Sequence, residues 1–128
     1  MPYTVTYNPE THYIYYRFLG KLNMKEVREL SAAAARLANE QNCYLVLADL
    51  REAAVGLTMA EVFEIPGLLK EVLTPYGLLI QKFKRAVVVK KRILILEFFE
   101  TVSVNRGHNV KIFVDENLAF KWLTGEQS

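Results

Sequence analysis

The chain opens on a period of two. Tyr3 to Tyr7 alternates within a β-favouring set, Asn8-Pro9-Glu10 is a turn signal, and His12 to Leu19 is a second aromatic and β-branched run closed by Gly20. Two such runs joined by a short turn predict an antiparallel hairpin. The period then lengthens. From Asn23 to Glu40, the residues Met24, Val27, Leu30, Ala34 and Leu37 recur at helical spacing, with alanines between them that favour helix. Asn23 followed by Glu26 is a capping-box pattern with Asn in place of the usual Ser or Thr.

Cys43 to Ala48 is an unalternating apolar run ending at Asp49, the pattern of a strand covered on both faces. Thr58 with Glu61 repeats the capping signal ahead of a helix from Met59, which Pro66-Gly67 is expected to kink or break. Ala86 to Val89 predicts another buried strand. Arg92 to Arg106 is read as helix in spite of the β character of Ile93 to Leu96, and it ends at Gly107, where a left-handed residue is wanted. Val110 to Val114 is the last strand, and Asp115 caps a final helix carrying Leu118, Ala119, Trp122 and Leu123. The order ββαβαβαβα predicts an α/β fold, a mostly parallel sheet with right-handed crossovers and helices packed on it.

Composition adds bounds. The 128 residues suit one domain spanning 1–128, and 52% apolar with 23% charged residues suits a real core. The lone Cys43 excludes an internal disulfide and fits a reducing compartment. A net charge of +2 is too small to imply nucleic acid. There is no signal-peptide pattern, and the apolar runs fall far short of the roughly 20 residues of a membrane span, so a cytoplasmic location is expected.

The stretch Phe99-Glu100-Thr101-Val102-Ser103-Val104-Asn105-Arg106-Gly107, the ending Val110-Lys111-Ile112-Phe113-Val114-Asp115 to Ala119-Phe120-Lys121-Trp122-Leu123, and the segment Leu47-Ala48-Asp49-Leu50-Arg51 together resemble the SpoIIAA-like family. These are small bacterial proteins related to the STAS domains of sulphate transporters and anti-sigma-factor antagonists. The resemblance implies a mixed sheet of about five strands, an N-terminal hairpin and then parallel strands, covered by four helices. It also implies, for the anti-sigma antagonists, a phosphorylatable serine just after the third strand. Here that segment reads Asp49-Leu50-Arg51-Glu52-Ala53-Ala54, and the nearest hydroxyl is Thr58, a helix cap. The phospho-switch is therefore expected to be absent.

Three candidate sites emerge. Lys82, Lys84, Arg85, Lys90, Lys91 and Arg92 are six basic residues in eleven, inside an acid-free interval from Val72 to Leu96. Lys90, Lys91 and Arg92 fall at a strand end, where α/β sheets favour ligands and the next helix N-terminus favours anions, and Asp49, Arg51 and Glu52 lie at the neighbouring strand end. Asp49, Arg51, Lys90, Lys91 and Arg92 are thus a candidate rim for an anion or partner; the competing expectation is a solvated edge with Asp49 or Glu52 as counter-ions. Ile65, Leu68, Leu69, Val72 and Phe83 are a candidate apolar groove or interface beside the broken helix, against core or a contact with a second copy.

Catalytic residues are the poorest candidates. His12 and His108 are expected exposed and far apart, and Cys43 packs as a small hydrophobe, so no nucleophile or metal set is indicated and no cofactor is implied. Tyr13, Tyr15 and Tyr16 fall on both faces of the second strand, so at least one ring is expected at the surface or an interface; with the basic stretch they suggest single-stranded nucleic acid only weakly. The leading expectation is a non-enzymatic regulatory or interaction module, a homodimer open to a further protein partner. The alternatives are a carrier or sensor of a small apolar or anionic ligand, and an enzyme using Asp49, Arg51 and Lys91.

Overall fold

The computed structural model describes residues 3–125. The hairpin forms as β1 (Tyr3–Asn8) and β2 (Tyr13–Phe18), antiparallel, with Tyr3 opposite Phe18 and Asn8 opposite Tyr13. Gly20, at φ +101, turns the chain into a short strand β3 (Gly20–Leu22) that leads to α1 (Met24–Gln41). The Asn23 side chain accepts from the backbone N–H groups of Lys25 and Glu26, as a cap should. The return half of the expected capping box is not made: Glu26 Oε1 is buried without a hydrogen-bond partner.

Next come β4 (Leu45–Asp49), β5 (Ala53–Val55) and α2 (Met59–Leu73). At the start of α2 the box is complete, with Thr58 Oγ1 accepting from Glu61 N at 3.1 Å and Glu61 Oε1 from Thr58 N at 2.9 Å. The expected break at Pro66 does not occur, and α2 runs through it. Pro66 offers no N–H to the preceding turn, which costs helix stability. The offset is burial, since Ile65, Pro66, Leu68, Leu69 and Leu73 are all in the core and any kink would expose some of them.

Two 3-10 turns, Thr74–Tyr76 and Ile80–Lys82, lead into β6 (Lys84–Val88), which begins two residues earlier than Ala86. It is followed by α3 (Leu94–Asn105), β7 (Asn109–Phe113) and α4 (Glu116–Thr124). Leu94 to Leu96 is helical, the carbonyl of the extended N-cap residue Ile93 accepting from Leu96 N and Glu97 N, and 93–96 does not pair with β6 as a ribbon. Gly107, at φ +84, closes α3 while His108 N donates back to the Ser103 carbonyl.

The main sheet has five strands in the order β1-β2-β4-β6-β7; only the β1–β2 pair is antiparallel. Beside it β3 and β5 make a two-stranded parallel ladder that sequence reading missed, because three residues are too few to show a period. Alternation then sorts side chains by face. Ile14, Val46, Ala48, Val87, Val110 and Ile112 face the layer of α1, α2 and α3, while Leu47, Ala86 and Val88 pack against Ala119 and Leu123 of α4. No helix among the described residues is long and apolar enough to cross a membrane.

Candidate functional site

The C-terminal ends of the parallel strands carry a polar hollow on the α4 side of the sheet, lined by Tyr15, Arg17, Asp49, Arg51, Glu52, Lys90 and Glu116. Asp49 is its centre. As the last residue of β4 it points away from the α1–α3 layer, and only 3% of it is exposed. Parallel pairing of β2 with β4 sets Tyr15 and Arg17 on the same face, with Arg17 opposite Asp49.

The Asp49 carboxylate is saturated. Its Oδ1 accepts from Arg51 Nε at 2.9 Å and from Arg51 backbone N at 3.1 Å, and its Oδ2 accepts from Arg51 Nη2 and from the Tyr15 hydroxyl, both at 2.7 Å. This fork is the strong bidentate form of the arginine–carboxylate pair. It holds the Asp49 carboxyl down at about 2, the Arg51 side chain being the main cause and burial acting the other way. Tyr15 is pushed up to about 12, first by burial and then by its bond to Asp49. Arg51 Nη2 also donates to Glu116 Oε1 at 3.0 Å, tying β4 to the first turn of α4. Beside them Arg17 pairs with Glu52 at 2.9 Å.

Of the residues expected on this rim, the structure brings together Asp49, Arg51 and Lys90. Lys91 is exposed in the turn beyond. Arg92 is elsewhere: it donates to Glu97 at 2.9 Å, to Glu100 at 3.4 Å and to the Ile112 carbonyl at 3.0 Å, so it clamps α3 onto β7. The counter-ions are also reassigned, Asp49 serving Arg51 and Glu52 serving Arg17 rather than the 90–92 turn. The remaining basic residues are split by strand alternation: Lys84 Nζ donates to the Trp122 carbonyl and lies 4.6 Å from that ring's centroid, while Arg85 points into the opposite layer. Arg17 and Glu116 went unnoticed in the sequence, and Tyr15 was singled out only as one of three tyrosines on the second strand, although the alternation of the 13–18 run and the Asp115 cap were the signals that place all three at this hollow.

Of the expected apolar groove, Ile65, Leu68, Leu69 and Phe83 are buried and Val72 is half-buried, all in the core between sheet and helices. The three neighbouring tyrosines do occupy both faces, Tyr13 and Tyr15 toward α4 and Tyr16 toward α1–α3, but each is half-buried and β2 is an interior strand. His12 is exposed in the hairpin turn; His108 is buried, against expectation, because β7 starts beside it and its Nδ1 accepts from Arg85 Nη2 at 3.1 Å. Burial, and then the charges of Arg85 and Arg106, pull His108 down to about 4, so the ring is neutral at physiological pH. Cys43 is fully buried and its thiol pKa is raised by that burial. Among the described residues no group of three or more His, Cys, Asp or Glu is placed to hold a metal ion.

Compared by sequence, the chain matches no protein-family model and no curated protein. Compared by structure, it is similar to an uncharacterised protein of the DUF3478 family with a SpoIIAA-like fold from Shewanella loihica PV-4, with a TM-score of 0.57, 17% identity, and coverage of 94% of this chain and 91% of that one. It is also similar to the anti-sigma factor antagonist SpoIIAA in its unphosphorylated form, with a TM-score of 0.55, 13% identity, and coverage of 96% and 98%. A third likeness is to the Bacillus cell fate determinant SpoIIAA in its phosphorylated form, with a TM-score of 0.50 and 11% identity. The fold is SpoIIAA-like, four helices on a mixed five-stranded sheet, as the resemblance in the sequence implied.

Proposed function

We propose that the chain is a non-enzymatic regulatory module that docks a protein partner on the rim formed by the ends of β2, β4, β6 and β7, without a phosphoserine switch. The observation that carries this reading is a set of exposed apolar side chains that follow the strand ends bearing the polar hollow. Leu94 (78% exposed), Val114 (56%) and Leu118 (54%) are large hydrophobic side chains left to solvent, and all lie at this one end of the sheet, with Leu19 and Ile93. Large apolar side chains left to solvent together, bordered by charged groups, mark an interaction surface rather than a solvated edge. The saturation of Asp49 by Arg51 and Tyr15 supports binding over catalysis, since neither oxygen of the one buried carboxylate in the hollow is left to act as a base. The segment 49–54, where the resemblance implies a serine in the antagonists, supplies the Asp49–Arg51 fork instead.

The test is photo-cross-linking in the host cell, with a benzophenone amino acid at Leu94 or, at the opposite end of the sheet, at Tyr76. The expected result is a protein adduct at Leu94 that is absent at Tyr76 and weakened by Arg51→Glu. An adduct of twice the chain's mass would identify the partner as a second copy and make this rim the homodimer contact. No adduct at Leu94, or equal adducts at both ends, would overturn the proposal.

A further inference from the structure

The layer between the sheet and α1, α2 and α3 is not filled. Two partly enclosed cavities, of about 70 and about 50 Å³, lie there and share Tyr16, Ser31, Leu69 and Arg85 in their walls. Tyr16, Ser31 and Arg85 are the polar side chains lining them, and the rest of both linings is apolar. An apolar cavity with a few convergent polar groups is the usual form of a small-molecule site.

Arg85 is what makes this more than a packing fault. Every arginine carries a fixed charge, and a buried one needs a carboxylate. Arg51 has Asp49 and Glu116, and Arg92 has Glu97 and Glu100, although both are more exposed to water than the cavity wall. Arg85 has none among the described residues. Its Nη2 reaches a neutral imidazole, His108, and its Nε is buried without an acceptor. Burial pulls the guanidinium down to about 10. The guanidinium is a planar two-point donor set in an apolar wall, with Nε facing no acceptor of the chain, and that geometry suits an anion.

We propose that these cavities bind a small monocarboxylate with an apolar aliphatic or aryl body. The carboxylate sits on the Arg85 fork beside the Tyr16 hydroxyl, and the body lies among Ile65, Leu69, Val87 and Phe99. A singly charged group is matched by the one guanidinium, whereas a phosphate dianion would leave a second charge against apolar walls. This inference is independent of the docking rim, because Arg85 and Asp49 are on opposite faces of the sheet.

Calorimetry and thermal shift on the purified full chain test it with benzoate, hexanoate and palmitate against benzamide and hexanamide. A short carboxylate should bind at least about tenfold tighter than its matched amide, the factor expected when a charged hydrogen bond is lost. Tight palmitate binding with none for hexanoate would identify a lipid-derived acid as the source; the reverse would identify a free small acid. Arg85→Met should melt no lower than the parent chain, since it removes an unpaired buried charge, and should lose the preference for acid over amide. Leu69→Trp, which fills the space shared by both cavities without touching the charge, should abolish binding. Absence of carboxylate binding, equal binding of acid and amide, or binding undiminished in both variants would overturn the proposal.

Discussion

Replacing Asp49 with Asn keeps the size of the side chain and removes its charge, so it isolates what the fork with Arg51 contributes. The carboxyl lies at about 2 instead of 3.8. At about 1.4 kcal/mol for each tenfold change in proton affinity, the folded state favours the ionised form by about 2.5 kcal/mol. Asp49 is almost wholly buried, so solvent screening takes little from this figure. Because the folded value is the lower one, the stabilisation is complete above pH 4 and is lost as pH falls through about 2; about half remains at pH 3. Urea unfolding followed by Trp122 fluorescence should therefore show Asp49→Asn destabilised by about 2 kcal/mol at pH 7 and by about 1 kcal/mol at pH 3. Tyr15→Phe should cost about 1 kcal/mol in the parent and clearly less in Asp49→Asn, since its hydroxyl donates to the same carboxylate. A loss below about 0.5 kcal/mol at pH 7, the level of an ordinary exposed pair, or one that does not shrink at pH 3, would refute the account of Asp49 as the electrostatic centre of the rim.

Other expectations follow from single residues. His108 is neutral when folded, with its pKa at about 4 against 6.5 unfolded, so its contribution is intact above pH 6.5 and disappears as pH falls toward 4. At pH 4.5 the loss is about 2 to 3 kcal/mol, and His108→Asn should flatten that part of the stability–pH curve; an identical slope in the variant would contradict it. Thr58→Ala opens the capping box of α2 and should cost about 1 kcal/mol in urea, with no change in fold by circular dichroism. Leu123→Ala removes a fully buried side chain that holds α4 to the sheet and should cost about 2 to 5 kcal/mol; a cost below 1 kcal/mol would mean α4 is not docked as described.

Periodicity carried most of the architecture because each main element is long enough to repeat its pattern. The 24–41 helix buries one face and the 45–49 strand is covered on both, each as its pattern predicts, and local propensity agrees with tertiary role. What failed did so where tertiary contacts override local rules. Pro66 is a helix breaker read alone, yet it sits among buried Ile65, Leu68 and Leu69 that hold the helix straight. Arg92 reads as the third member of a basic rim, but its reach to Glu97, Glu100 and Ile112 is a matter of three-dimensional neighbours. Arg85 is the instructive case. With the strand started at Ala86, the residue reads as part of a solvated basic run; with it started at Lys84, alternation alone sends Arg85 to the same side as Val87, beneath the helices. Two residues of boundary separated a solvated charge from a half-buried one whose Nε is shut off from water.

The same alternation relates the rim to the cavities. Tyr15 and Asp49 belong to the rim; their chain neighbours Tyr16 and Ala48 line the first cavity. The two sites share no side chain from β2 or β4 but share the backbone of both strands, paired in register as Tyr15 to Leu47 and Tyr16 to Ala48. A strand cannot be displaced on one face alone. Whatever moves β2 and β4 by widening the layer beneath α2 also moves the Asp49–Arg51 fork and, through Glu116, the first turn of α4. The shared backbone of β2 and β4 is thus the physical link between the cavity proposed to bind a carboxylate and the rim proposed to dock a partner.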